Sequence, residues 1–171
     1  MSIRSPDHPY MVESFMSREP DKPQQLAAFL TSERVLFLEC DSKAAALDAL
    51  IDCLARTPQV TDAAAFREAI LSRELLMSTG LGLGIGVPHT RLESITAMVV
   101  AVGWCRQPLL DYVGLDGGPV ELILMIAASP NQHAEYLRLL ASVTARLKND
   151  EFRRAVLTAE DTAVAFRLLT C

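Results

Sequence analysis

Apolar residues follow a regular pattern from about Gln24 to the C-terminus, whereas residues 1–23 are polar and contain four prolines. Proline-rich polar termini bury little surface, so this part of the chain is predicted to be a flexible leader. The patterned remainder, residues 24–171, is long enough to build one domain around a full-sized core.

Helical segments place apolar side chains three and four residues apart, as Ala46, Leu50 and Leu54 do. Residues that favour helix N-caps, and residues that stop helices, mark the ends of these segments. The predicted helices cover 24–30, Ser42 to Thr57, Thr61 or Asp62 to about Met77, Pro130 to Lys148, 151–157 and 160–169.

Three apolar segments have the composition of strands: Arg34–Glu39, Ile95–Trp104 and Val120–Ala128. The last two are apolar at nearly every position, which predicts a sheet that is covered on both faces. Helices occur before, between and after the strands. The predicted fold class is therefore α/β, a single-domain sandwich in which helices flank a small mixed sheet on both faces.

Composition narrows the function. The net charge is −5 and no basic stripe is present, which argues against nucleic-acid binding. The apolar stretches are far shorter than the roughly 20 residues that a membrane helix needs, and the N-terminus lacks a signal-peptide core. A cytoplasmic protein without membrane insertion is expected. The four cysteines are scattered, with no Cys/His cluster at zinc spacing, so no metal site is expected.

A glycine-rich segment is the first candidate for chemistry. Four of the eight glycines alternate with apolar residues just before Pro88 and His89: Gly80, Gly82, Gly84 and Gly86. Backbone N–H groups in such a segment can form an anion-binding concavity. The alternative is a strand edge or tight packing of backbone on backbone. The glycine spacing fits no dinucleotide fingerprint, and the segment has no P-loop lysine, so nucleotide binding is not expected.

His89 offers a nucleophile, because an imidazole near neutral pH has an unprotonated nitrogen. The alternative is a capping or buried, hydrogen-bonded histidine. His133 lies at a predicted helix start, where negative charge is favoured, but an ordinary surface residue would fit there too. Arg73 could pair with phosphate. Its alternative is a surface salt bridge, although no acid lies three or four residues away.

These residues also carry a resemblance. Arg73-Glu74, Ser78–Gly82 and Gly84–His89 resemble the R-E…S-T-G-I-G-x-G-[IV]-A-[IVL]-P-H signature of an enzyme IIA family. This is the fructose, mannitol and nitrogen-regulatory type of the bacterial sugar phosphotransferase system. The resemblance implies that His89 is the phosphorylated histidine and that His133 and Arg73 are active-site residues.

The resemblance further implies that phosphate comes from the carrier protein HPr, or its nitrogen-branch counterpart, and passes to a IIB domain. No cofactor, metal or nucleotide is implied. In the expected transfer, Arg73 and His133 supply charge and hydrogen-bond donors. Backbone groups of a phosphate-binding loop are expected to assist them: Thr79, Gly80, Gly82 and Gly84. One of the two ring nitrogens of His89 should be held by a backbone carbonyl or another acceptor.

Two departures from the signature keep a second function open. Gly86 and Thr90 stand where the family usually has alanine and often glycine. The alternative is a non-transferring regulatory module of the same fold that acts by protein–protein interaction. Without an attached IIB or membrane IIC segment, a regulatory role is expected in preference to sugar transport. A partner would need an exposed surface, so at least one of Leu81, Leu83 and Ile85 is expected to lie exposed beside His89.

The leader generates the first prediction. A chain that starts at Pro23 should melt within a few degrees of the full chain, because residues 1–23 have little apolar surface to bury. Calorimetric scans of the two chains under identical conditions test this. A large drop in the melting temperature of the shorter chain would mean that the leader packs on the domain or on a second subunit.

Overall fold

A computed structural model describes residues 24–171, so the leader predicted over residues 1–23 lies outside the described residues. The described part of the chain folds as six helices and six strands. The helices are α1 (Gln24–Ala27), α2 (Lys43–Ala55), α3 (Ala63–Leu76), α4 (His133–Leu147), α5 (Asp150–Leu157) and α6 (Thr162–Thr170). The strands are β1 (Val35–Leu38), β2 (Gly80–Gly82), β3 (Ile85–Gly86), β4 (His89–Arg91), β5 (Val99–Val113) and β6 (Pro119–Ala128).

All six strands form one mixed sheet in the order β1-β5-β6-β3-β2, with β4 also paired to β6. Strand β5 runs antiparallel to β6 and parallel to β1. Strands β3 and β4 both run parallel to β6, on its other edge. The short β2 then pairs antiparallel with β3. Strand β6 is therefore paired along both of its edges.

Strands β3 and β4 are two parts of one extended segment. Ile85 pairs with Leu122, and the same register continues through His89 opposite Ile126. Between the two parts, the Val87 N–H turns away and donates to the Thr79 carbonyl. Pro88 has no N–H to offer, but its carbonyl accepts from the Ile126 N–H and keeps the ladder intact.

Strand β6 and the part of β5 from Val99 to Cys105 bury both of their faces, as their continuous apolar sequences predict. Because successive side chains alternate across a sheet, Val100, Val102 and Trp104 pack on one side of β5. Helices α1, α4, α5 and α6 cover that side. Val99 and Ala101 pack on the other side, under α2 and α3. The α/β sandwich with helices on both faces is confirmed.

The predicted helix starts also hold in detail. The Ser42 hydroxyl accepts from the Ala45 N–H at the start of α2. Of the two candidates for α3, Asp62 is the cap, since its carboxylate accepts from the Ala65 N–H. These side chains satisfy backbone donors that the first helical turn leaves without partners.

Strand β5 differs from its prediction at both ends: it starts at Val99 instead of Ile95 and extends nine residues beyond Trp104 to Val113. The extension contains Arg106, Gln107 and Asp111, whose polarity obscures the strand pattern. Shifts of register along the pairing with β6 let this end bend. As a result Tyr112 is fully buried against the glycine-rich segment.

Within residues 24–171, no helix combines the length and the apolar character needed to cross a bilayer.

The close approach of Gly86 to Tyr112 can be tested by substitution. A Cβ at this position would lie 2.7 Å from the Tyr112 hydroxyl oxygen and 2.8 Å from the adjacent ring carbon. Gly86→Ala should therefore lower the free energy of unfolding by about 1–3 kcal/mol through overpacking. Urea titration of the purified variants measures the effect.

The matched control is the same substitution in a Tyr112→Leu background, where the obstructing phenol is gone. There the added methyl group should be much less destabilising, so the two substitutions should be non-additive. An unchanged penalty in the Tyr112→Leu background would assign the cost to some other contact of Gly86.

Candidate active site

A surface cavity of about 470 Å³ opens at the carboxyl ends of β4 and β6, where both strands leave the sheet. Its walls come from α3, β4 and the turn after β6, and the lining residues are Arg73, His89, Thr90, Arg91 and Pro130. Two of these five side chains are guanidinium groups and none is acidic. A cavity with such a lining is suited to an anion.

His89 is held in a defined tautomer. Its Nδ1 lies 2.9 Å from the Val87 carbonyl oxygen. Because a carbonyl oxygen only accepts, Nδ1 must carry the hydrogen and donate it. The lone pair of the neutral ring is then on Nε2. The expected acceptor for a ring nitrogen of His89 is confirmed as a backbone carbonyl two residues away.

The predicted site arginine, Arg73, lies in the last turn of α3 and reaches the cavity. Its Nη1 donates to the Met77 carbonyl at 3.3 Å, which closes the end of its own helix. Among residues 24–171, no carboxylate lies within salt-bridge distance of Arg73, so the surface ion pair that sequence left open is not formed there. Its charge remains available to an anion in the cavity.

His133, the second predicted histidine, is the first residue of α4 and is exposed. A turn with reciprocal hydrogen bonds between Ser129 and Gln132 connects β6 to this helix and fixes its start. The His133 Nδ1 lies 2.6 Å from Nη1 of Arg91. The structure thus brings His133 to the rim of the cavity through its contact with Arg91.

The buried Tyr136 packs against the His89 ring. Its ring lies 5.2 Å from the His89 ring, centroid to centroid, at an interplanar angle of 32°. Burial raises the pKa of the Tyr136 hydroxyl, while the positive charges of Arg91 and Arg73 oppose the rise. Arg73, Arg91 and His89 line one cavity, and the Tyr136 ring packs beside the His89 ring.

Thr79 lies apart from the cavity, in a buried polar cluster. Its hydroxyl is 2.5 Å from Oε2 of Glu74 and 2.6 Å from the Tyr112 hydroxyl, and its N–H donates to Oε1 of Glu74. The Lys43 ammonium pairs with the same carboxylate at 2.7 Å. Burial raises the pKa of Tyr112, which keeps its hydroxyl protonated as a donor. The cluster ties the end of α3, and therefore Arg73, to the start of the glycine-rich segment.

The glycines expected to bind phosphate also lie outside the cavity. Gly80 packs against the backbone of Val113 and Gly114, and the Gly84 carbonyl accepts from two N–H groups at the start of β6. The alternative of tight backbone packing thus describes this part of the segment. Thr79, Gly80, Gly82 and Gly84 are absent from the lining of the cavity that contains His89.

One backbone N–H of the glycine-rich segment does bind an anionic group, but that group is an acid of the chain itself. The Asp116 carboxylate accepts from the Leu83 N–H at 2.8 Å and from the Gly118 N–H at 3.0 Å. These hydrogen bonds lower the pKa of Asp116. Gly82 has a positive φ of 95°, and a Cβ there would approach this carboxyl group to 3.1 Å. Of the four alternating glycines, Gly82 is therefore the one that makes room for an internal carboxylate.

The expected exposure of the loop leucines is confirmed for Leu81 and Leu83, whereas Ile85 is buried. Their position differs from the expectation, because both leucines line a separate small groove against the C-terminal end of α4. Ile85 also lines this groove. It pairs with Leu122 of β6, whereas His89 pairs with Ile126, so Ile85 and His89 are about 13 Å apart along the strand. These leucines are not beside His89.

Arg91 is the main site residue that sequence reasoning missed. The signal was present: residues two apart on a strand share a face, so a strand that starts at His89 presents Arg91 on the same side. Tyr136 could have been found by the same logic, since it is one helical turn after His133.

Comparison with known proteins identifies relatives of this chain. Residues 28–170 match the family model described as the phosphoenolpyruvate-dependent sugar phosphotransferase system, EIIA 2. The fructose-specific EIIABC component of Bacillus subtilis is 33% identical over 137 residues, which cover 80% of this chain and 21% of that protein. The nitrogen regulatory protein of Escherichia coli is 29% identical over 151 residues, or 88% of this chain and 92% of that protein.

Solved structures extend the comparison. The nitrogen regulatory protein IIA-Ntr from Neisseria meningitidis superposes with a TM-score of 0.78 at 25% identity, over 85% of this chain and 99% of that one. The mannitol enzyme IIA of Escherichia coli, solved in complex with phosphorylated enzyme IIB, shares the fold with a TM-score of 0.69 at 21% identity, over 82% of this chain and 96% of that one. With a family model that matches almost its whole length, the chain belongs to the EIIA 2 family of the sugar phosphotransferase system.

Proposed function

We propose that this chain is a phosphohistidine carrier that accepts a phosphoryl group from HPr, or its nitrogen-branch counterpart, on Nε2 of His89. The observation that carries the proposal is the hydrogen bond from Nδ1 of His89 to the Val87 carbonyl, at the wall of a cavity with two arginines. This bond leaves one nucleophilic nitrogen and an environment that favours the charge of a phosphoryl group.

The transfer needs no proton to leave His89. The Nε2 lone pair forms the new bond to phosphorus as the bond from phosphorus to the donor histidine breaks, and the donor nitrogen keeps that electron pair. The hydrogen on Nδ1 stays in place. The Val87 carbonyl then stabilises the positive charge that the imidazole acquires when Nε2 bonds to phosphorus.

Arg73 supplies positive charge to the equatorial oxygens during this step, because transfer of a phosphoryl group depends chiefly on positioning and charge stabilisation. Its guanidinium still has donors free after its bond to the Met77 carbonyl. Arg91, from β4, and His133, from the start of α4, contribute as well. The chain itself supplies all of these groups.

The acceptor is a IIB domain or a regulatory target protein. Phosphotransferase IIA domains partner with IIB domains, as the mannitol complex illustrates. The nitrogen regulatory relative matches this chain over 92% of its own length, which supports a regulatory role equally. Transfer of the phosphoryl group from the labelled protein to a purified IIB domain distinguishes a transport relay from a signal that is read by binding.

A non-transferring regulatory module remains the second candidate because of Thr90. This residue lines the cavity and places a hydroxyl and a branched Cβ directly after the nucleophile. If steric crowding by Thr90 blocked in-line attack, the protein would bind partners without accepting phosphate. Incubation with phosphoenolpyruvate, enzyme I and HPr decides between the two candidates.

Three apolar residues at the end of α3 provide a docking surface for a protein donor: Leu75, Leu76 and Met77. Leu76 is 83% exposed and lies three residues after Arg73, on the same face of the helix. Exposed apolar side chains next to a charged cavity are typical of protein–protein contacts. We expect the donor to cover this surface during transfer.

Phosphorylation of His89 is the central prediction. Incubation with phosphoenolpyruvate, enzyme I and HPr should add one phosphoryl group, detected by intact mass, and His89→Ala should add none. The modification should be lost in acid and stable in base. NMR of the phosphorylated protein should place phosphorus on Nε2, because Nδ1 carries the bonded hydrogen.

The control for this assay is His8→Ala, which removes a histidine from the predicted leader and should be phosphorylated normally. Uptake of phosphate by His89→Ala would contradict the assignment of the residue. An absence of uptake by the natural sequence, with active donor proteins, would support the non-transferring module.

The docking surface gives a separate prediction. Leu76→Asp should slow transfer from phosphorylated HPr about tenfold, because a charge there opposes burial at the centre of a contact. Uptake from phosphoramidate, a small donor that needs no docking, should be unchanged. The melting temperature should also stay the same, since the side chain is exposed.

Leu115→Asp is the matched control. Leu115 is also 83% exposed, but it lies in the turn before β6, at the opposite end of that strand from Ile126 and His89. Equal slowing by the two aspartates would show a general effect of added negative charge and would remove the docking role from Leu76.

A further inference from the structure

Arg91 and His133 form a pair that local structure holds together. Arg91 is fixed opposite Ala128 by the register of β4, and His133 is fixed by the capped turn that follows β6. The two side chains meet with Nη1 of Arg91 2.6 Å from Nδ1 of His133. Arg91 also lines the cavity that contains His89.

The chemistry of this contact fixes which side chain donates the hydrogen bond and which accepts it. A guanidinium group has N–H donors and no acceptor, so Nδ1 of His133 must accept. The hydrogen of the His133 ring is therefore on Nε2. Arg91 donates one N–H to the histidine, and its other N–H groups remain for a ligand in the cavity.

We propose that Arg91 is a second arginine that binds the phosphoryl group on His89, and that His133 acts through Arg91 as a positioning residue. This proposal rests on the proposed function of His89. An exposed arginine loses side-chain freedom when it binds, and a fixed acceptor on its guanidinium reduces that loss. His133 is that acceptor, and it need not touch the phosphoryl group itself.

Three features of the structure favour this assignment. Arg91 is on the same strand face as His89, two residues away. Its positive charge acts on Tyr136, whose ring contacts the His89 ring. Within residues 24–171 it forms no ion pair with a carboxylate, so its charge is directed to the cavity and not neutralised by an acid.

A double-mutant cycle tests whether the pair acts as a unit. Arg91→Gln and His133→Phe should each slow phosphorylation of His89 by roughly 10²-fold, the range for loss of one charge-stabilising donor. The double variant should be no slower than Arg91→Gln alone, within a factor of about three, because both substitutions remove the same function. Rates are measured with phosphorylated HPr and, separately, with phosphoramidate.

A conservative variant separates the positioning role from direct contact. Glutamine at position 133 offers an amide oxygen that can accept from Arg91, so His133→Gln should recover most of the rate that His133→Phe loses. Equal losses in these two variants would show that the imidazole itself contacts the phosphoryl group. Arg106→Gln, on the part of β5 beyond Trp104, is the arginine control and should transfer at the rate of the natural sequence.

NMR of protein with nitrogen-labelled histidine provides a readout that requires no phosphate. In the unphosphorylated protein, His133 should show its hydrogen almost entirely on Nε2, and Arg91→Leu should lower this preference to that of a free imidazole. A hydrogen on Nδ1 of His133 would overturn the pairing. So would multiplication of the two single-variant effects in the double variant, or unchanged transfer by Arg91→Gln.

A protein that is not phosphorylated at all and a protein in which Arg91 has no role give different results. If the natural sequence takes up phosphate from neither donor, the proposed function falls, and the phosphate-binding role of Arg91 falls with it. If His89 is phosphorylated normally while Arg91→Gln changes nothing, only the role of Arg91 is overturned.

Discussion

Strand β6 has partners on both of its edges, and its parallel pairing with β3 and β4 determines where His89 and Arg91 lie. The constant register puts His89 opposite Ile126 and Arg91 opposite Ala128. Because β6 ends there, the following turn delivers His133 to the same edge of the sheet. One ladder of backbone hydrogen bonds thus sets the distances between side chains that are far apart in sequence.

Most of the fold could be predicted from the pattern of apolar residues. Burial of β6 and of the first half of β5 on both faces follows from sequences without a polar face. Helix starts follow from capping chemistry at Ser42 and Asp62. The end of β5 was not predictable in the same way. Its polar residues are accommodated by tertiary contacts, such as the carboxylate of Asp111 on the Lys43 N–H, that no local window contains.

The candidate site was predictable to a similar degree. Arg73 and His89 do border one cavity, and His133 reaches its rim through Arg91. The glycine segment shows the limit of motif reasoning. Alternating glycines indicate that something approaches the backbone closely, but they do not identify it. Here the groups that approach are Asp116, Tyr112 and the backbone of Val113 and Gly114, all from later in the chain, where the sequence alone suggested phosphate.

Close contact between Gly86 and Tyr112 has a consequence for how sequences in this family diverge. The phenol occupies the space that an alanine side chain would take, and its hydroxyl joins the polar cluster around Thr79 and Glu74. Relatives with alanine at the first position must therefore have a smaller or displaced side chain at the second. The two positions are expected to change together over evolutionary time, and a chain with the alanine but with this tyrosine should be rare among natural homologues.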